Sequence, residues 1–152
     1  MAKIQIVSVN RPDSVWDALI SDYVQRATRY APIKWQALKP VHEADVALAK
    51  RKNTKQLLAA VPAGNLIVIL DEFGAEWNTK QLAQKLTQWM ERYQGVSFLV
   101  GGTEGLDREQ IQSYPSWALS RLTLPHRLAQ LVLAEQLYRA FSLQHNHPYH
   151  RA

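Results

Sequence analysis

Three groups of residues have the types and spacing for chemistry. Gly101 and Gly102, with Gly105 close behind, follow the apolar run Val96-Ser97-Phe98-Leu99-Val100. Adjacent glycines after a buried strand let backbone approach a ligand without Cβ atoms and free amides for hydrogen bonding; read alone, the same pair also marks an ordinary turn. Ser120-Arg121-Leu122-Thr123-Leu124-Pro125-His126 offers hydroxyls, backbone carbonyls and an apolar wall suited to an adenine ring and a ribose. It reads equally as a strand end before a Pro-started helix. The tail His145-Asn146-His147-Pro148-Tyr149-His150-Arg151-Ala152 holds three of the five histidines. Its aromatic, imidazole and guanidinium groups can stack on a nucleobase and hydrogen-bond its edge, although a frayed solvated tail is the common state of a terminus.

Other chemistries lose their support. With no cysteine among 152 residues, disulfide scaffolds, Cys-type zinc sites, iron–sulfur clusters and thiol nucleophiles are excluded. The tail imidazoles lack a carboxylate neighbour and sit at a chain end, so no metal site is expected. Asn10-Arg11-Pro12-Asp13 follows the first strand without a glycine, so the dinucleotide fingerprint and the Walker loop are both missing. The net charge of +5 is uneven: residues 1–60 hold ten Lys/Arg against five Asp/Glu, while residues 61–152 hold eight of each. Within the first sixty, Lys50-Arg51-Lys52-Asn53-Thr54-Lys55 places four positive charges in six residues. Such a run is commonly a solvated helix face, and it can also follow a phosphate backbone.

The elements that must position these groups are legible from periodicity. Ile4–Val9 reads as a strand, and Pro12-Asp13-Ser14 starts a helix whose Trp16, Leu19, Ile20, Tyr23, Val24, Ala27 and Tyr30 form one apolar stripe, ended by Pro32. Ile33, Trp35 and Ala37 alternate as a second strand, and 43–61 is a weaker, charge-rich helical segment. Leu66–Leu70, closed by Asp71, has the unbroken apolar character of a strand covered on both faces. Asn78 caps a helix carrying Leu82, Leu86, Trp89, Met90 and Tyr93, which Gly95 stops. Val96–Val100 follows as a strand, then a short helix near 107–113, a last strand over Trp117–Leu124, and a final helix over His126–Leu143.

This alternation predicts one α/β domain spanning residues 1–152, with a mostly parallel sheet and helices on both faces. The final helix is apolar nearly all round, with Leu128, Leu131, Val132, Leu133, Ala134, Leu137, Tyr138 and Phe141. A second subunit is the economical cover for it, and a neighbouring helix of the same chain is the alternative. The N-terminus lacks the apolar region and cleavage site of a signal peptide, and no apolar run approaches the ~20 residues that cross a bilayer. A soluble cytoplasmic protein with no membrane partner is expected.

Phe98-Leu99-Val100-Gly101-Gly102-Thr103-Glu104-Gly105-Leu106, Leu119-Ser120-Arg121-Leu122-Thr123-Leu124-Pro125-His126, Ala134-Glu135-Gln136-Leu137-Tyr138-Arg139-Ala140 and Asn146-His147-Pro148-Tyr149-His150-Arg151 together resemble, in order and spacing, the RlmH family of SPOUT methyltransferases. The likeness extends more loosely over the whole chain. It implies a homodimeric α/β domain whose C-terminal part forms a deep trefoil knot, against the general rule on knots. It also implies transfer of a methyl group from S-adenosyl-L-methionine to N3 of a pseudouridine in 23S ribosomal RNA, at the large-subunit stem-loop facing the small subunit, in assembled ribosomes. A SPOUT enzyme acting on another RNA such as tRNA, and a non-catalytic RNA-binding module, are the alternatives.

Carried over position by position, the resemblance places the cofactor on Leu70, Gly102, Ser120, Arg121, Leu122, Thr123, Leu124 and Pro125. It places activity on Tyr149 and Arg151, with His147 and His150 beside them and His126 near the cofactor loop. Thr103 stands where the family often has Pro, and Arg121 where it often has a smaller residue.

Overall fold

A computed structural model describes residues 3–151. The chain runs β1 (Lys3–Val9), α1 (Ser14–Ala27), β2 (Ile33–Leu38), α2 (Val46–Ala59), β3 (Asn65–Glu76), α3 (Thr79–Arg92), β4 (Gly95–Val100), α4 (Arg108–Ile111), β5 (Ser116–Ala118) and α5 (His126–Gln144). The strands form one parallel sheet in the order β2-β1-β4-β3-β5.

Short polar side chains start the helices. Asp13 accepts from the amides of Val15 and Trp16, both at 3.0 Å, and Asp45 accepts from Ala47 at 2.9 Å. Asn78 and Gln81 form a reciprocal box, with Gln81 N–H donating to Asn78 Oδ1 at 2.9 Å and Asn78 N–H to Gln81 Oε1 at 2.8 Å. Each such cap stabilises its helix by about 1 kcal/mol.

Alternation along the strands divides the core into two layers. Ile4, Ile6, Val68, Leu70, Val96 and Phe98 pack with Ile20 of α1, Leu82 and Leu86 of α3, and Leu133 and Leu137 of α5. Val7, Val9, Ile69 and Leu99 face the other way, onto Leu57 of α2 and Ile111 of α4. Helices thus cover both faces, which is why the central strands read as unbroken apolar runs. Among the described residues no helix is long and apolar enough to cross a membrane.

Three elements differ from the sequence reading. β3 does not close at Asp71: it pairs with β5 through Ile69 and Leu70, lets Asp71–Gly74 bulge out, and resumes pairing at Ala75 and Glu76. Gly74 is required there, because a Cβ would lie 2.7 Å from the backbone of Ser116 and Trp117. β5 ends at Ala118, so 119–125 is loop; its apolar residues line a cavity instead of a ladder. Finally, α1 and α3 of the same chain flank α5. They bury its Leu133, Ala134, Leu137 and Phe141 without a second subunit, leaving Leu128, Leu131 and Val132 half-buried.

Candidate cofactor cavity and the C-terminal tail

A cavity of about 640 Å3 opens at the carboxyl ends of β3, β4 and β5. That size suits a ligand of a few hundred daltons, and the end of a parallel sheet is where such ligands collect. Three stretches make its wall: Leu70–Glu72 from β3 and its bulge, Val100–Leu106 after β4, and Leu119, Ser120 and Leu122–His126 after β5. Trp117 also lines it, stacked on Trp77 with ring centroids 5.2 Å apart at 19°. The glycine pair and the Thr-Leu-Pro bend, 20 residues and more apart in sequence, therefore share one pocket.

Hydrogen bonds fix the loops. Leu122 N–H donates to Ser120 Oγ at 2.9 Å, a local turn set by the serine. Thr123 Oγ1–H donates to Glu72 Oε2 at 2.6 Å, tying this loop to the β3 bulge. Gly105 N–H donates to Gly102 O at 3.0 Å, closing the glycine turn. Across the mouth, Arg108 forms an ion pair with Asp71, its Nη2 at 2.9 Å from Oδ1, and its guanidinium lies 4.9 Å over the exposed Phe73 ring. Burial, with Arg127 next to it, holds the His126 imidazole below its ordinary pKa, and Glu104 opposes this weakly.

Gly102 has a reason different from an open approach to the ligand. A Cβ there would lie 3.0 Å from Val9 O and 3.5 Å from Val9 Cγ1, so the missing side chain lets the loop pack on the end of β1.

Of the positions carried over for the cofactor, Leu70, Gly102, Ser120, Leu122, Thr123, Leu124 and Pro125 line the cavity. Arg121 does not: its side chain is 88% exposed and its Nε donates to Glu76 Oε1 at 2.7 Å. The sequence reading missed Glu72, Glu104 and Arg108. The position of Glu72 just past a buried strand was the available signal for it.

The tail residues His147, Tyr149, His150 and Arg151 are not in this cavity. α5 starts beside it and runs 19 residues away, about 28 Å at 1.5 Å per residue. Asn146, with φ of +56°, then reverses the chain. His147 N–H donates to Ser142 O at 2.9 Å and Asn146 N–H to Leu143 O at 3.2 Å, the two bonds of a Schellman ending. The tail folds back onto its own helix. Tyr149 lies edge-on to Tyr138 at 4.6 Å between centroids, with the Arg139 guanidinium 4.7 Å over its ring. Burial and a hydrogen bond with Tyr23 push the Tyr149 phenol up to about 12, so it is a neutral donor near pH 7. His150 Nδ1 lies 3.3 Å from Arg139 Nη1, and His147 Nδ1 accepts from Tyr149 N–H at 3.2 Å. A guanidinium only donates, so both imidazoles use Nδ1 as acceptor here. Arg151 is exposed.

A family model described as "Predicted SPOUT methyltransferase" matches residues 2–150, which defines the class of the protein. The "Ribosomal RNA large subunit methyltransferase H" of Marinomonas sp. (strain MWYL1) is 46% identical over 108 residues, which are 70% of either chain. The chain belongs to the SPOUT methyltransferase family and, within it, to the RlmH family.

Proposed function

We propose that this chain methylates N3 of a pseudouridine in 23S ribosomal RNA of assembled ribosomes, with S-adenosyl-L-methionine as donor. One observation carries the reading: the glycine turn after β4 and the Ser120–Pro125 loop after β5 line one cavity large enough for a nucleoside-sized donor. Its lining has the right mixture, with Leu70, Trp117 and Leu124 for an apolar ring, and Ser120, Thr123 and the loop backbone for polar groups. When bound, the donor supplies a methyl group on a sulfonium whose neutral thioether departs. The protein's task is then mainly alignment.

The tail is the proposed acceptor-binding element. Tyr149 stacks on the base, and Arg151 stabilises negative charge developing on the carbonyl oxygen beside N3. His147 or His150 serves as general base for the N3 proton, with Nδ1, the nitrogen that carries the lone pair in these tautomers, as the accepting atom. Tyr149 and His150 pack beside Tyr138 and Arg139, which puts them roughly 18–20 Å along α5 from His126 at their own cavity, at 1.5 Å per residue. The reading therefore includes a homodimer in which each tail serves the partner's cavity, with the half-buried Leu128, Leu131 and Val132 available to the interface. It also includes a deep trefoil knot in the C-terminal part. The supporting feature is that β4 lies inside β3 and β5 outside it, so the chain crosses β3 between them. A cytoplasmic location fits a ribosomal substrate.

Ribosomes from cells lacking this protein, incubated with it and labelled donor, should gain one methyl group per large subunit on a pseudouridine by mass spectrometry. Label entering transfer RNA and not ribosomes, or no label in either, overturns the assignment.

A further inference from the structure

A second, smaller cleft adjoins the cofactor cavity and has no role in the reading so far. It measures about 150 Å3 and is lined by Asn10 and Arg11 after β1, Pro40 and His42 after β2, Gly102–Glu104 after β4, and His126 and Arg127 at the start of α5. Its place follows from topology. β1 and β4 are neighbours, yet the chain leaves β1 toward β2 on one side and leaves β4 toward β5 on the other. The loops diverge and open a crevice between them, the switch point at which α/β sheets bind ligands.

Its chemistry is that of an anion site. Arg11 and Arg127 form no ion pair among the described residues, and Glu104 is the single carboxylate in the lining. Arg127 is fixed by its Nη2, which donates to Arg11 O at 2.9 Å, while its Nη1 is buried without a hydrogen-bond partner. A buried guanidinium nitrogen left unpaired is costly, and an acceptor in the cleft would satisfy it. Arg11 Nη2 lies 2.6 Å from His42 Nε2; the guanidinium must donate, so His42 accepts there and keeps Nδ1–H to offer. α5 begins here without a side-chain cap, so the positive end of its dipole adds the same sign. The cleft is too small for a nucleoside and suits a group the size of a phosphate.

The geometry points to this cleft as a seat for a backbone phosphate of the RNA substrate, held by Arg11 and Arg127 next to the target nucleotide. It rests on the RNA-methyltransferase reading and adds a subsite to it. The cleft shares Gly102, Thr103, Glu104 and His126 with the cofactor cavity, so a phosphate seated here lies within one nucleotide or so of the methyl donor. It also gives the basic first part of the chain a local use, since Arg11 and His42 both come from it.

The test is the salt dependence of binding to a labelled RNA hairpin, between about 50 and 200 mM salt. Each phosphate neutralised contributes about 0.7–0.9 to the slope of log affinity against log salt, so Arg11→Gln with Arg127→Gln, which empties a seat for one phosphate, should flatten the slope by about 0.7–0.9. At the lower salt its affinity should fall at least about tenfold. Arg127→Lys keeps the charge and should keep the slope, whereas Arg127→Gln alone keeps a donor for Arg11 O and should still flatten it, which a merely structural bond would not do. Affinity for S-adenosylmethionine, by calorimetry, should stay within twofold in all variants. A wild-type slope in the double variant, or a matching loss of cofactor affinity, overturns the phosphate seat alone. A wild-type protein that neither binds the hairpin nor methylates ribosomes overturns the functional reading and the seat with it.

Discussion

Gly102→Ala is the most direct probe of how the cavity is built. The added Cβ would sit 3.0 Å from Val9 O, inside ordinary carbon–oxygen contact, with Val9 Cγ1 and Cβ at 3.5 and 3.6 Å behind it. Val9 cannot retreat easily: it is 2% exposed, and β1 is paired with β2 on one side and β4 on the other. The loop must therefore move by a few tenths of an ångström, and overpacking of this kind costs about 1–3 kcal/mol. For a domain of this length that lowers Tm by roughly 2–4 °C per kcal/mol, hence by about 2–12 °C. The shift also disturbs the turn held by Gly105 N–H on Gly102 O. Losing one aligned hydrogen bond to the cofactor weakens its binding about two- to tenfold. Differential scanning calorimetry and titration with S-adenosylmethionine read the two effects separately. A variant with wild-type Tm and wild-type affinity would show that the close approach to β1 does not shape the loop.

Two further predictions test the tail and the cavity rim. Deleting 149–152 removes the Tyr149 contacts with Tyr138 and Arg139, each worth about 0.5–1.5 kcal/mol. Tm should drop by a few degrees, cofactor affinity should hold within twofold, and ribosome methylation should vanish; retained turnover would refute the tail assignment. His126 has a folded-state pKa below its unfolded value, so the unfolded chain binds the extra proton first. Its contribution is fully present above about pH 6.5 and is lost as pH falls through the lowered folded value. Urea unfolding of wild type and His126→Asn at pH 7.5, 6.5 and 5.5 should show a steeper loss in the wild type, and identical slopes would refute the burial argument.

What the sequence determined by itself is what short stretches encode. The apolar run Leu66–Leu70 specified a strand buried on both faces, and Asp13 and Asn78 marked helix starts, because period and capping depend on neighbours a few residues apart. The motifs around Gly102 and Ser120–Pro125 likewise carried the family, and with it the expectation of a shared cofactor site. Tertiary structure alone decided which loops meet. The Asp71–Gly74 bulge exists because β5 is short and docks on β3 in two registers, and that pairing joins residues some 40 positions apart. Arg121 turns to Glu76, away from the pocket, for the same reason. The crevice holding Arg11, His42 and Arg127 forms only because β4 inserts between β1 and β3, a long-range choice with no local signature. The tail's direction lies between these cases: an asparagine just past a helix end hints at the reversal, but only the packed Tyr23, Tyr138 and Arg139 give Tyr149 a surface to return to. Local periodicity is written in the order of residues, whereas strand order and loop meeting are free-energy choices made by the whole core at once.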